Sequence, residues 1–74
     1  MIDYRKYITI HSDKRFGRPC IIGTRISVYD ILSWLSNGMS EAEIIEDFPE
    51  LSTTHIRAAL AFAADKTHKI RIAS

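Results

Sequence analysis

The sequence predicts a mainly α domain: short N-terminal β-strands or a hairpin, followed by a tri-helical, helix-turn-helix-like bundle. Three observations predict it. Two short β-branched or apolar runs lie within the first 25 residues, separated by a polar, basic stretch. Beyond them, three segments open with the same pattern: an apolar residue, a serine, and an isoleucine four positions after the serine. The last two of these segments are joined by Phe48-Pro49-Glu50-Leu51, a short turn of the kind that joins the two helices of a helix-turn-helix.

Tyr7-Ile8-Thr9-Ile10-His11 reads as the first strand, with Ile8 and Ile10 on one face. Ser12 to Pro19 is a turn-forming loop, and Cys20-Ile21-Ile22 is the second strand, ended by Gly23. A lone hairpin is marginal in water, so something must cover this one.

The helix starts are Ile26-Ser27…Ile31, Met39-Ser40…Ile44 and Leu51-Ser52…Ile56. A serine at the N-cap accepts from a backbone N–H that the first turn leaves orphaned. The flanking apolar pair is a hydrophobic staple, and Ser40 with Glu43 adds a capping box. Helix one spans Val28 to Asn37, with Val28, Ile31, Leu32 and Leu35 on one face and Asn37-Gly38 as its left-handed stop. Helix two runs from Glu41 to Asp47, with Ile44 and Ile45 inward, and ends at Phe48-Pro49 because a residue before proline avoids the helical region. Helix three extends from Thr53 to His68, with Ile56, Ala59, Leu60 and Ala63 as its core stripe. The chain is thus a single domain: basic strands and loop over 1–25, the three-helix core over 26–68, and a tail over 69–74.

From Ile56 to Ala64 only Arg57 is not apolar. A helix apolar nearly all round needs cover nearly all round. This predicts a partner or homodimer contact along Ala58, Ala61, Phe62 and Asp65, with the N-terminal strands as the alternative dimer contact. In the tail, Lys69-Ile70-Arg71-Ile72 alternates basic and apolar residues, as a strand added to a partner's sheet would.

The net charge of +1 hides three blocks. Residues 1–25 hold six cations against two acids, residues 26–56 hold six acids and no Lys or Arg, and residues 57–74 hold four cations against one acid. Such blocks suit partners met on separate surfaces. One cysteine, Cys20, forbids an intrachain disulfide and suits a reducing cytoplasm. It reads as a small buried hydrophobe. Met1 to Lys6 has no apolar run of the signal-peptide kind, and no stretch approaches the ~20 apolar residues of a membrane span.

Enzymatic constellations are lacking. Gly17 and Gly23 are not followed by the Lys-Ser or Lys-Thr of a phosphate-binding loop, and His11, His55 and His68 have no metal-ligand spacing. No cofactor, metal or catalytic residue is therefore expected. Nucleic-acid binding fits the helix-turn-helix plan better. The start of helix three would enter the major groove with Thr53, Thr54, His55 and Arg57, while Lys14, Arg15, Arg18 and Arg25 would grip the backbone. Against close docking, the middle of the chain is acidic.

Arg18-Pro19-Cys20-Ile21-Ile22-Gly23-Thr24-Arg25-Ile26, followed by Asp30-Ile31-Leu32, Gly38, Ser40, Ile44-Ile45, Asp47, Pro49 and Leu51, resembles the family catalogued as domain of unknown function 433. The likeness continues through Ile56-Arg57-Ala58-Ala59-Leu60-Ala61-Phe62-Ala63-Ala64 and covers residues 5 to 66. The sequence departs from that pattern at Phe16-Gly17-Arg18, where a Gly-Gly-basic run is common, and at Ile22, where a polar residue is common. The resemblance implies a small prokaryotic antitoxin that binds and silences a PIN-like ribonuclease toxin and binds operator DNA as a dimer. A stand-alone DNA-binding transcriptional regulator is the alternative.

Overall fold

The three serine-led starts become three capped helices. In a computed structural model of the chain, which describes residues 2–10 and 17–69 (the side chains of 66–69 excepted), the helices are α1 (Val28–Ser36), α2 (Glu41–Asp47) and α3 (Thr53–Lys69). Ser27 Oγ accepts from the Asp30 N–H at 3.0 Å while the Asp30 carboxylate accepts from the Ser27 N–H at 3.0 Å. Ser40 and Glu43 repeat the exchange at the start of α2. At α3 the third residue of the box is a histidine: the Ser52 N–H donates to His55 Nδ1 at 3.0 Å. The staple residues Ile26, Ile31, Ile44, Leu51 and Ile56 are all buried in one core, and Met39 packs against it.

Helix α1 ends as Asn37-Gly38 predicts. Gly38 has φ +97°, its N–H donates to the Leu35 carbonyl, and the Met39 N–H donates to the Trp34 carbonyl. That is a Schellman stop, which needs a residue free to take positive φ. Trp34 of α1 stacks on Phe48 beyond α2, with ring centroids 4.3 Å apart and planes 9° from parallel.

The hairpin consists of β1 (Ile8–Ile10) and β2 (Pro19–Ile21), antiparallel, with Ile8 opposite Ile21, Thr9 opposite Cys20 and Ile10 opposite Pro19. A single antiparallel bridge joins Cys20 to Ser27, so the far edge of β2 is covered by the approach to α1. Cys20 is the buried hydrophobe expected, its thiol donating to the Arg18 carbonyl at 3.4 Å.

One element has no counterpart in the sequence expectations. A 3-10 helix, Tyr4–Lys6, is capped by the Asp3 side chain, which accepts from the Arg5 N–H. It lies against α3. Tyr4 meets Phe62 edge-on, with ring centroids 5.5 Å apart, and its hydroxyl donates to Asp65 at 2.5 Å. This corrects the predicted partner face. Ala58 is 0% exposed and Phe62 5% exposed within the chain's own core, and Ala61 is half-buried beside the 3-10 helix. The predicted core residue Leu60 is instead 43% exposed. At ~100° per residue, Thr53, Arg57, Leu60 and Ala64 share the outward face of α3. The helix is thus covered on two flanks, by α1 and by the N-terminus, where the sequence stripe assumed one.

Candidate macromolecular interface

Two turns frame the candidate site. The first leads into α1. Ile21, Ile22, Gly23 and Thr24 form a reverse turn, the Thr24 N–H donating to the Ile21 carbonyl at 3.1 Å and Gly23 taking φ +84°. A positive φ at the third turn position is where glycine is favoured. The Thr24 hydroxyl donates to the Ile21 carbonyl and accepts from the Ile26 N–H, each at 3.0 Å. Ile26 then buries its side chain and returns its carbonyl to the Ile21 N–H. Gly23, Thr24 and Ile26 therefore each have a job in the fold. Arg25 has none: it is exposed, and its guanidinium makes no ion pair or hydrogen bond among the described residues.

The second turn, Phe48 to Leu51, leads into α3 and closes with the Leu51 N–H on the Phe48 carbonyl at 2.9 Å. Between the turns lies an open groove of about 610 Å³, lined by Gly23, Thr24, Arg25, Ile26, Phe48 and Glu50. It offers a cation, an anion and a partly apolar floor, with Trp34 stacked against Phe48. Among the described residues no group of three or more His, Cys, Asp or Glu could hold a metal ion.

The sequence-predicted contact residues fall into three sets. Arg18, Arg25, Thr53 and Arg57 are exposed, and the three guanidiniums make no bond among the described residues. Thr54 and His55 are half-buried. His55 caps α3 and meets Tyr7 edge-on, with ring centroids 5.8 Å apart. Its ring serves the fold, a role that a serine followed by a histidine three residues later could have signalled. Lys14, Arg15, Ile70, Arg71 and Ile72 lie outside the described residues, as does the Lys69 side chain. The acids Glu43, Glu46, Asp47 and Glu50 are exposed on α2 and the turn after it.

The model of a family described as protein of unknown function, DUF433, matches residues 8–63. The chain belongs to the DUF433 family. A crystal structure of a DUF433 member from Anabaena variabilis shares the fold, with a TM-score of 0.78 at 24% identity, over 85% of this chain and 62% of that one. An uncharacterized protein, y4eO of Sinorhizobium fredii, is 34% identical over 59 residues, which cover 80% of this chain and 27% of the relative. The chain thus spans about a quarter of that relative's length and under two thirds of the solved one. The DUF433 match contains both framing turns and the whole start of α3. Among the described residues no helix is long and apolar enough to cross a membrane.

Proposed function

We propose that this DUF433 chain is a non-enzymatic binding protein of the antitoxin kind, which neutralises a PIN-like ribonuclease toxin in the cytoplasm. The observation that carries the reading is Arg25: a turn fixed by the two hydrogen bonds of Thr24 holds a guanidinium, bonded to nothing among the described residues, beside an open groove of mixed polarity. PIN-like nucleases hold metal ions with clustered carboxylates. A cation fixed on a turn can meet such a carboxylate as a charge-assisted, bidentate pair. Glu50, which lines the groove with Arg25, suits a protein partner of mixed charge better than a polyphosphate, which it would repel.

The test is co-expression with the product of the adjacent gene, purification through a tag on one chain, and assay of ribonuclease activity with and without this protein. A stoichiometric complex with suppressed nuclease activity supports the reading. A neighbour with full activity in the presence of excess protein refutes it.

The arrangement of α2, turn and α3, with Thr53 and Arg57 exposed, favours one second reading, operator DNA binding by the same chain or by a stand-alone regulator. That reading expects salt-sensitive DNA binding that weakens when Arg57 becomes Ala. Salt-insensitive binding, or indifference to the substitution, rules it out.

A further inference from the structure

The outer edge of β1 has the hydrogen-bond phase and the side chains to pair with its own copy. Ile22 N–H donates to the Tyr7 carbonyl at 2.9 Å, which makes Tyr7 and Ile22 a hydrogen-bonded pair. Antiparallel pairs alternate between bonded and non-bonded, so Ile8–Ile21 is non-bonded, Thr9–Cys20 is bonded and Ile10–Pro19 is non-bonded. Pro19 has no N–H to give, in agreement with that phase. The N–H and C=O groups of Ile8 and Ile10 therefore point away from β2, and among the described residues no strand pairs with them.

The edge is also chemically open. Ile8-Thr9-Ile10 contains no charge and no proline, the devices that blunt most edge strands. Ile10 lies on the core side of the strand with Ile8 but is 57% exposed, against 8% for Ile8.

We propose that β1 pairs with β1 of a second copy, antiparallel about a two-fold axis at Thr9. Thr9 then faces its own counterpart as a non-bonded pair. Ile8 faces Ile10 of the copy, and Ile10 faces Ile8 of the copy, as the two bonded pairs. That is the phase the outward groups of Ile8 and Ile10 require, and it yields four backbone hydrogen bonds across the axis. It sets the exposed Ile10 beside the Ile8 of the other copy and turns two hairpins into one four-stranded sheet. An uncharged edge of this kind recruits another uncharged edge, and the symmetric register makes the second copy the matching one. The strand is three residues long, so the dimer forms by mass action at high concentration rather than at all dilutions.

Sedimentation equilibrium over about a hundredfold concentration range reads the mass directly. The wild type is expected to move from the 8.5 kDa chain mass toward twice that value. Ile10→Pro removes an outward N–H and no bond to β2, so it should keep the helical circular dichroism and remain at one chain mass; Ile10→Lys should do the same. In a Cys20→Ala background, Thr9→Cys should oxidise to an interchain disulfide, because a non-bonded pair sets the two Cα atoms roughly 4.5 Å apart. A wild type that stays monomeric throughout, a dimer that survives both Ile10 variants, or a Thr9→Cys thiol that stays reduced while the mass doubles would each overturn the pairing. None of these outcomes depends on the toxin or on DNA.

Discussion

Truncating Phe62 distinguishes a side chain that completes the chain's own core from one that waits for a partner. Phe62 is 5% exposed, packed edge-on against Tyr4 and within the cluster that holds Ile56, Ala58 and Ala59. A buried Phe→Ala change typically costs about 3–5 kcal/mol through lost transfer energy and the cavity left behind. A chain of 74 residues has roughly 4–11 kcal/mol in total at ~0.05–0.15 kcal/mol per residue. Phe62→Ala should therefore remove roughly a quarter or more of the stability. Leu60→Ala, at a position 43% exposed, should cost about 1 kcal/mol or less. Urea unfolding followed by circular dichroism and by Trp34 fluorescence, at a dilution where association is negligible, gives both values. If Phe62→Ala lies within ~0.5 kcal/mol of wild type, the size of an ordinary surface change, the assignment of this face to the fold fails. A costlier Leu60→Ala than Phe62→Ala would refute it equally.

Three further outcomes follow from named bonds. The hydrogen bond to Asp65, then burial and the Asp65 charge, raise the Tyr4 phenol above its usual value of 10.0. Its contribution to stability is therefore present below the ordinary phenol range and is lost as pH rises through the raised value. Tyr4→Phe should flatten that alkaline decline, and tyrosinate absorbance should show one late-titrating phenol; an unchanged pH profile would contradict the contact. His55→Ala should cost about 1–2 kcal/mol, a cap plus a ring contact, and His55→Glu should recover part of it by restoring the box used at α1 and α2. Chemical denaturation that ranks Glu below Ala would exclude the capping role. Thr24→Val should cost about 1–3 kcal/mol because the Ile26 N–H loses its acceptor, a loss that calorimetry would detect as a lower Tm.

The helices were legible because their starts and stops are written in local chemistry. Ser27, Ser40 and Ser52 mark three caps, Gly38 marks one stop, and Phe48-Pro49 marks another. Each of these signals acts within a few residues, so tertiary context had little to override. The rotation of α3 was not legible. Its run from Ala58 to Ala64 is apolar on every side, so periodicity carries no phase there. The phase is set instead by packing on two flanks, against α1 and against Tyr4, which is 61 residues from its Asp65 partner. Nothing local marks Tyr4-Arg5-Lys6 as a helix that folds onto α3. At the candidate site the cationic residue types were legible, but the division of labour was not. Gly23-Thr24-Arg25-Ile26 reads as one block, and only the bonds of Thr24 separate its three fold residues from Arg25.

That separation is the centre of the proposed function, and the affinity of Arg25→Ala for the proposed nuclease partner measures it most directly. Arg25 makes no bond within the described fold, so the variant should melt with the wild type. Its binding and its suppression of nuclease activity should nonetheless weaken about tenfold or more, as expected when a central charged contact is truncated. Full affinity in a normally folded Arg25→Ala protein would show that the groove is not the binding surface.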